Sequence, residues 1–206
     1  MQTIQCNLCE NTTFVDVNKR KGVKCSHCGS MERTRLLKMY LDKIPLNSDS
    51  KVLHLAPERG LYAHLKKIIT PGNYVVADFN PNGFMFTPEC QHIDLCDLSS
   101  WGSESFDLII HSHILEHTPC NIAYTFFHLD RMLSANAMQL CVVPFMPGRW
   151  DESFQEMSDE DRIQRFGQND HVRRYGVEDY EKHLGSVIRF DPNFDASLEF
   201  SDELLT

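Results

Sequence analysis

Four cysteines in the first 28 residues, spaced Cys6-x2-Cys9 and Cys25-x2-Cys28, constrain this chain more than any other feature. Two thiolates three positions apart on a tight turn take two corners of a tetrahedron, and a second such pair completes it, which is the pattern of a structural zinc site. A rubredoxin-like iron centre uses the same four sulfurs and is the less expected occupant; four unrelated buried thiols are less expected still. Gly29, directly after the second pair, suits the left-handed turn such a knuckle needs. A segment this short buries little core, so the metal would supply most of its folding energy. Cys6, Cys9, Cys25 and Cys28 are therefore the predicted Zn2+ ligands. Grouped thiols, and an opening MQTIQCNLCENTT without the basic and apolar regions of a leader, point to a reducing, cytoplasmic setting.

Charge divides at the same boundary. Of 206 residues with a net charge of -9, residues 1–47 hold eight Lys or Arg against four Asp or Glu, whereas the remainder holds twelve against twenty-five. A basic module thus precedes a strongly acidic body, and that body repels a long polyanion, which disfavours nucleic acid as the substrate. A hydrophobic content of 42% is ordinary for a globular chain. No apolar run approaches the roughly 18 residues that a membrane span needs. Two parts are expected: a zinc knuckle with a connecting helix over 1–47, and a larger domain over 48–206.

In the larger part strand-like and helix-like segments alternate, which predicts an α/β fold with a doubly wound, mostly parallel, Rossmann-like sheet. The predicted strands are Lys51–Leu55, Tyr74–Asp78, His92–Asp94, Phe106–His111 and Gln139–Val143. MERTRLLKMYLDKIP reads as a helix ending at Pro45, with further helices over Gly60–Ile69, Ile122–Leu133, Asp159–Phe166 and Val177–Leu184. An apolar strand is expected over Ser186–Phe190. The stretch from Phe79 to Gln91 carries two prolines and has room for one turn only. The acidic tail would supply a last strand around Ser197–Phe200, or none, and an unpaired sheet edge would then suit a protein partner or self-association.

KVLHLAPERG places a strand before a turn and a helix, where open α/β sheets bind nucleotides. Asp78 ends the next strand about twenty residues later, where a carboxylate can accept both ribose hydroxyls. Asp94 and Leu95 follow in HIDLCDLSS, then Ser105-Phe106-Asp107, Leu115-Glu116-His117 and Arg131-Met132-Leu133. In this order the segments resemble the class I S-adenosylmethionine-dependent methyltransferases, particularly the type 11 domain, over about residues 51–145. The resemblance implies methyl transfer from S-adenosylmethionine, with Asp78 on the ribose, Asp94 and Leu95 at the adenine edge, and Ser112 or His113 near the methionine end. Ala56, Glu58 and Gly60 stand where the family has three glycines, and His54 where it has an acidic residue. Ala56 is small, Pro57 fixes the turn, and Glu58 is placed to meet the methionine ammonium. Asn136-Ala137 replaces a Gly-Gly turn, and Asn tolerates the left-handed conformation.

FGQNDHVRRYG, residues 166–176, is the second candidate site. A hydroxyl acceptor loses a proton as it attacks a methyl, and a histidine of near-neutral pKa suits that task. His171, oriented by Asp170, is the expected base, with Arg173 as an anion-binding partner; the competing reading is a helix start capped by Asn169 or Asp170. Cys90, His92, Asp94 and Cys96 alternate, and His113 and His117 lie four apart. Buried thiols and core histidines explain such patterns more often than ligands do, so no second metal site is expected. Trp150 and Tyr175 suit stacking on a sugar or base and half-buried packing equally well. The leading expectation is an S-adenosylmethionine-dependent methyltransferase acting on a small molecule or glycan at oxygen or nitrogen. RNA methylation, and a zinc-bearing scaffold with a degenerate cofactor turn, are the alternatives.

Overall fold

The computed structural model describes residues 4–190 and 195–200. The cysteine segment forms a hairpin, β1 (Phe14–Val17) paired antiparallel with β2 (Arg20–Cys25), followed by α1 (Glu32–Leu41). The body contains β3 (Val52–Leu55), α2 (Arg59–Leu65), β4 (Tyr74–Asp78), β5 (Gln91–His92), β6 (Phe106–Ser112), α3 (Ile122–Met132) and β7 (Leu133–Val142). These strands lie in the order β5-β4-β3-β6-β7, every pair parallel. The chain runs outward from β3 to β5 and then returns to β6 on the other side. The point of reversal, between β3 and β6, is where such sheets hold their ligands.

Side chains alternate across a strand, so a sheet covered on both faces needs apolar residues at nearly every position. All four residues of β3 are buried. Leu53, Leu55, Ala77 and Ile109 face one core with Phe126, Leu129 and Met132 of α3. Val52, Val76, Leu108 and Ile110 face the other with Leu61 and Leu65 of α2 and Leu37 and Leu41 of α1. Each such fully buried side chain contributes about 1.5–3 kcal/mol. The helix α1 is therefore a structural part of the body core as well as the connection from the knuckle.

Two of the recognisable segments hold the sheet together. Asp107 accepts the Lys51 backbone N–H and the Ser134 hydroxyl, both at 2.8 Å, tying β6 to the start of β3 and to β7; these bonds hold its carboxyl below the ordinary range. Arg131 reaches the carbonyls of Leu98 and Trp101, both at 2.7 Å, and fixes the loop before β6. Asn136 has φ +64° within a register shift of the β6–β7 ladder, the left-handed position anticipated for it.

Beyond β7 come β8 (Phe145–Met146), β9 (Asp151–Glu152), α4 (Asp159–Phe166), β10 (Arg173–Gly176) and α5 (Tyr180–Leu184), with a small sheet in the order β8-β10-β9. Several expectations change here. Ser186–Phe190 is turn and irregular chain, although Val187, Ile188 and Phe190 still pack on the core. The region around Ser197–Phe200 begins with a 3-10 turn, Ala196–Leu198, and lies against α1: Phe200 meets the Tyr40 ring at 5.1 Å and Glu199 pairs with Lys43. Among the described residues no strand pairs with the outer edge of β7; residues 201–206 of the tail lie outside them. The helix begun at Arg59 ends at Leu65, and the one foreseen from Val177 begins at Tyr180. No described helix is long and apolar enough to cross a membrane.

Gly60 shows how the two parts meet. A Cβ on this first-turn residue of α2 would lie 3.1 Å from Cys28 Sγ and 3.3 Å from Leu8 Cδ1. The knuckle thus seats directly on the helix that follows the β3 turn. Gly60→Ala should lower stability by about 1–3 kcal/mol through overpacking, measured by urea denaturation. Gly72→Ala, with nothing within 4 Å, is the control expected to stay near wild type.

Candidate functional site

At the carboxyl ends of the parallel strands lies a cleft of about 650 Å3. Leu55 and Ala56 come from the end of β3, Ala77 and Asp78 from β4, Ile93, Asp94 and Leu95 from the turn after β5, and His113, Ile114 and His117 from the segment after β6. The volume falls within the range of about 300–1,000 Å3 usual for cofactor clefts. Asp78 Oδ1 accepts the Asn80 N–H at 2.7 Å and Asp94 Oδ1 accepts the Cys96 N–H at 2.8 Å. Each carboxylate so fixes its own turn with one oxygen.

Two residues on this wall adopt left-handed backbone: Ala56 at φ +45° and His113 at φ +54°. A non-glycine residue pays of order 1–3 kcal/mol for such a conformation, and such residues cluster at ligand sites. Glycine would carry the Ala56 conformation without that strain.

Of the residues proposed from sequence for the cofactor, Ala56, Asp78, Asp94, Leu95 and His113 line this cleft together. Pro57, Glu58, Gly60 and Ser112 do not. Glu58 Oε2 lies 3.0 Å from His54 Nε2, and His54 Nδ1 lies 2.8 Å from the Tyr74 hydroxyl. The histidine that replaces an acidic residue within β3 therefore draws in the carboxylate four positions later. Gly60 serves the knuckle, as described above. Ser112 is buried and its hydroxyl finds no hydrogen-bond partner among the described residues. Phe79, Asn80, Cys96, Thr118 and Pro119 also line the cleft, and nothing in their pattern marked them, because loop residues carry no periodicity.

In the cysteine segment one sulfur from each of Cys6, Cys9, Cys25 and Cys28 lies within 4.8 Å of the others. Cys6 and Cys28 are 3.6 Å apart and Cys9 and Cys25 are 3.5 Å apart. Zinc–sulfur bonds of about 2.3 Å put tetrahedral sulfurs about 3.8 Å apart, so the arrangement fits zinc. Glu10 (φ +63°) and Gly29 (φ +78°) follow the second cysteine of each pair in the same left-handed conformation, giving two matched knuckles. A groove of about 560 Å3 beside them is lined in part by Lys24, His27, Arg33 and Arg59.

The segment 166–176 is neither a helix start nor a surface patch. Gly167 closes α4 at φ +92°, and β10 runs from Arg173 to Gly176. A Cβ on Gly176 would lie 2.1 Å from the Arg149 backbone, so glycine is required where the two chains cross. Tyr175 is fully buried against Trp150, at 5.2 Å between rings, which makes both packing residues.

Arg173 is 1% exposed and each of its three guanidinium nitrogens makes a hydrogen bond: Nη1 with the Leu115 carbonyl (2.6 Å), Nη2 with the Cys120 carbonyl (2.7 Å) and Nε with Glu152 (2.9 Å). These bonds anchor the loop from Leu115 to Cys120. Asp170 lies 3.3 Å from His117 Nδ1, so the histidine it meets is His117 rather than His171. His171 is 4% exposed, its Nδ1 is 3.1 Å from the Phe166 carbonyl, and its Nε2 finds no hydrogen-bond partner among the described residues. Burial and then the neighbouring His117 hold its pKa below the ordinary histidine value. The rings of His117 and His171 stand edge to face at 4.7 Å. Glu116 is completely buried, with neither oxygen in a hydrogen bond among the described residues, although His113 Nδ1 is 3.3 Å away. Sequence spacing joined His113 to His117 but not either to His171, because a tertiary contact brings the last one in.

Arg173→Lys keeps the charge but loses the fork of donors. It should destabilise the protein by about 3–5 kcal/mol, the usual cost of leaving a buried charge network unpaired, and urea denaturation would show it. Treatment with a strong chelator should strip one metal per chain and unfold residues 1–30 first, read by loss of amide-exchange protection there.

No protein-family model and no curated protein matches the chain. Among solved structures it is similar to the YcgJ protein of Bacillus subtilis, at 12% identity over 73% of this chain and 66% of that one, with a TM-score of 0.50. It is also similar to a candidate methyltransferase of Bacillus halodurans (16%, 73% and 64%, TM-score 0.48) and to an S-adenosylmethionine-dependent methyltransferase of Mesorhizobium loti (14%, 54% and 52%, TM-score 0.42). The chain spans no more than two thirds of the length of each of these three. The chain shares with the YcgJ protein an α/β fold built on a parallel five-stranded sheet, here carrying an N-terminal four-cysteine cluster.

Proposed function

We propose that the protein is an S-adenosylmethionine-dependent methyltransferase acting on oxygen or nitrogen of a small-molecule or glycan acceptor, with Zn2+ structuring its N-terminal module. The observation that carries this reading is the cleft at the sheet's reversal point, with Asp78 and Asp94 at neighbouring strand ends around apolar Leu55, Ala77, Ile93 and Leu95. S-adenosylmethionine supplies a methyl group made electrophilic by its sulfonium sulfur.

Asp78 is the acceptor for the ribose hydroxyls, and Asp94 with Leu95 holds the adenine edge. Ala56 lets the backbone pass close to the ligand, and His113 forms the wall toward the methionine end. At the far side of the cleft His117, held by Asp170, lines the space, with His171 and Glu116 behind it. These groups handle the proton that a hydroxyl acceptor gives up, while Arg173 positions the loop that carries them. The acidic body favours a small or uncharged acceptor over a polyanion. The β7 edge, with Met138 43% exposed, is the surface offered to a partner or a second copy.

Calorimetry with S-adenosylmethionine and with its demethylated product should show binding to one site. Asp78→Ala should weaken it by about tenfold or more, since a hydrogen bond to a charged group contributes about 1.5–3 kcal/mol. No heat with either compound would sink the methyltransferase reading. Methylation of RNA in preference to small hydroxyl acceptors would overturn the acceptor class.

A further inference from the structure

Glu116, His117 and His171, given above to the handling of a proton, also form a compact set of donor atoms. One donor atom from each lies within 4.8 Å of the others. Two of the three side chains are at least nine-tenths buried, and both have polar atoms lacking hydrogen-bond partners among the described residues: both oxygens of Glu116, and Nε2 of His171. A buried carboxylate without hydrogen-bond donors is costly unless a cation offsets it.

The histidines are held from behind in the way metal ligands usually are. His171 Nδ1 faces the Phe166 carbonyl at 3.1 Å, and His117 Nδ1 faces the Asp170 carboxylate at 3.3 Å. An acceptor on Nδ1 fixes the tautomer that leaves the lone pair on Nε2, and a carboxylate–histidine pair of this kind is a recurrent second layer around metals. Two imidazoles and one carboxylate are the donor set of open, catalytic sites for divalent first-row transition ions.

We infer that Glu116, His117 and His171 bind a divalent transition-metal ion at the acceptor end of the cleft, distinct from the ion held by the four cysteines. Three protein ligands leave coordination positions open, and His117, itself part of the cleft lining, directs them toward the acceptor. Donor atoms within 4.8 Å of one another leave room for one ion between them, to which nitrogen and oxygen bonds are about 2.0–2.2 Å. A hydroxyl oxygen of the acceptor taken up at an open position is acidified as metal-bound water is; with the ion bound, its proton leaves through the cleft to solvent instead of passing to an imidazole. The role of the site in methylation rests on the function proposed above; the binding of the ion does not.

The test is equilibrium dialysis of the full chain against Co2+, starting from protein carrying one zinc, with both metals counted by elemental analysis. One cobalt per chain with zinc retained is expected. His117→Ala and, separately, His171→Ala should weaken cobalt binding by about tenfold or more while zinc stays at one per chain. His117 is half-exposed, so its replacement leaves the core intact and keeps the comparison valid if the His171 variant fails to fold. No cobalt beyond that displacing zinc, or uptake unchanged in His117→Ala, would overturn the site. Cobalt uptake without binding of the demethylated cofactor would support the metal site while removing the methyltransferase reading. Cofactor binding without cobalt uptake would do the reverse.

Discussion

The buried guanidinium of Arg173 is the interaction on which the far side of the cleft depends. It gathers the carbonyls of Leu115 and Cys120 and the carboxylate of Glu152 around one charge. A cation taken out of water is tolerated only when such oxygens replace the lost hydration. Because β10 carries this charge, the strand must lie against the 3-10 turn Leu115–His117, and the Val172 N–H completes the contact at the Glu116 carbonyl, 2.8 Å away. His171, two residues before the arginine, is thereby set beside Glu116 and His117. The arginine thus works through its neighbours rather than on a ligand.

A second constraint acts at the same end of the sheet, beside β3. The knuckle is seated on α2 at Gly60, immediately after the turn that carries Ala56 and Pro57 past the cleft. A metal bound by the four cysteines would supply most of the folding energy of so small a module, and would thereby support the first turn of α2 beside the cleft. The module is better understood as a buttress for the body than as an independent arm. Its helix α1 supplies Leu37 and Leu41 to the same core as α2.

The two left-handed residues, Ala56 and His113, stand at the ends of β3 and β6 on either side of the reversal point. The sheet holds them there because both strands are buried on both faces and cannot yield. Strain carried by two cleft residues is thus supported by apolar packing several residues away.

The sequence by itself determined the cysteine module, the five parallel strands and the carboxylates at their ends. These depend on local spacing, on continuous apolar runs, and on a chain order that leaves few topologies. It also located Asn136, since a left-handed turn limits the residues it accepts. What it could not determine were the pairings between segments distant in the chain. Asp170 was matched to its sequence neighbour His171, but the fold hands it to His117, more than fifty positions earlier. Arg173 looked like a ligand-binding cation because burial cannot be read from one residue. The sequence leaves open whether a last strand lies around Ser197–Phe200, because nothing local reveals that Phe200 packs on Tyr40 of α1. Tertiary structure alone decided these, because a charge or an imidazole takes its role from the groups that surround it, and those groups come from elements that only folding brings together.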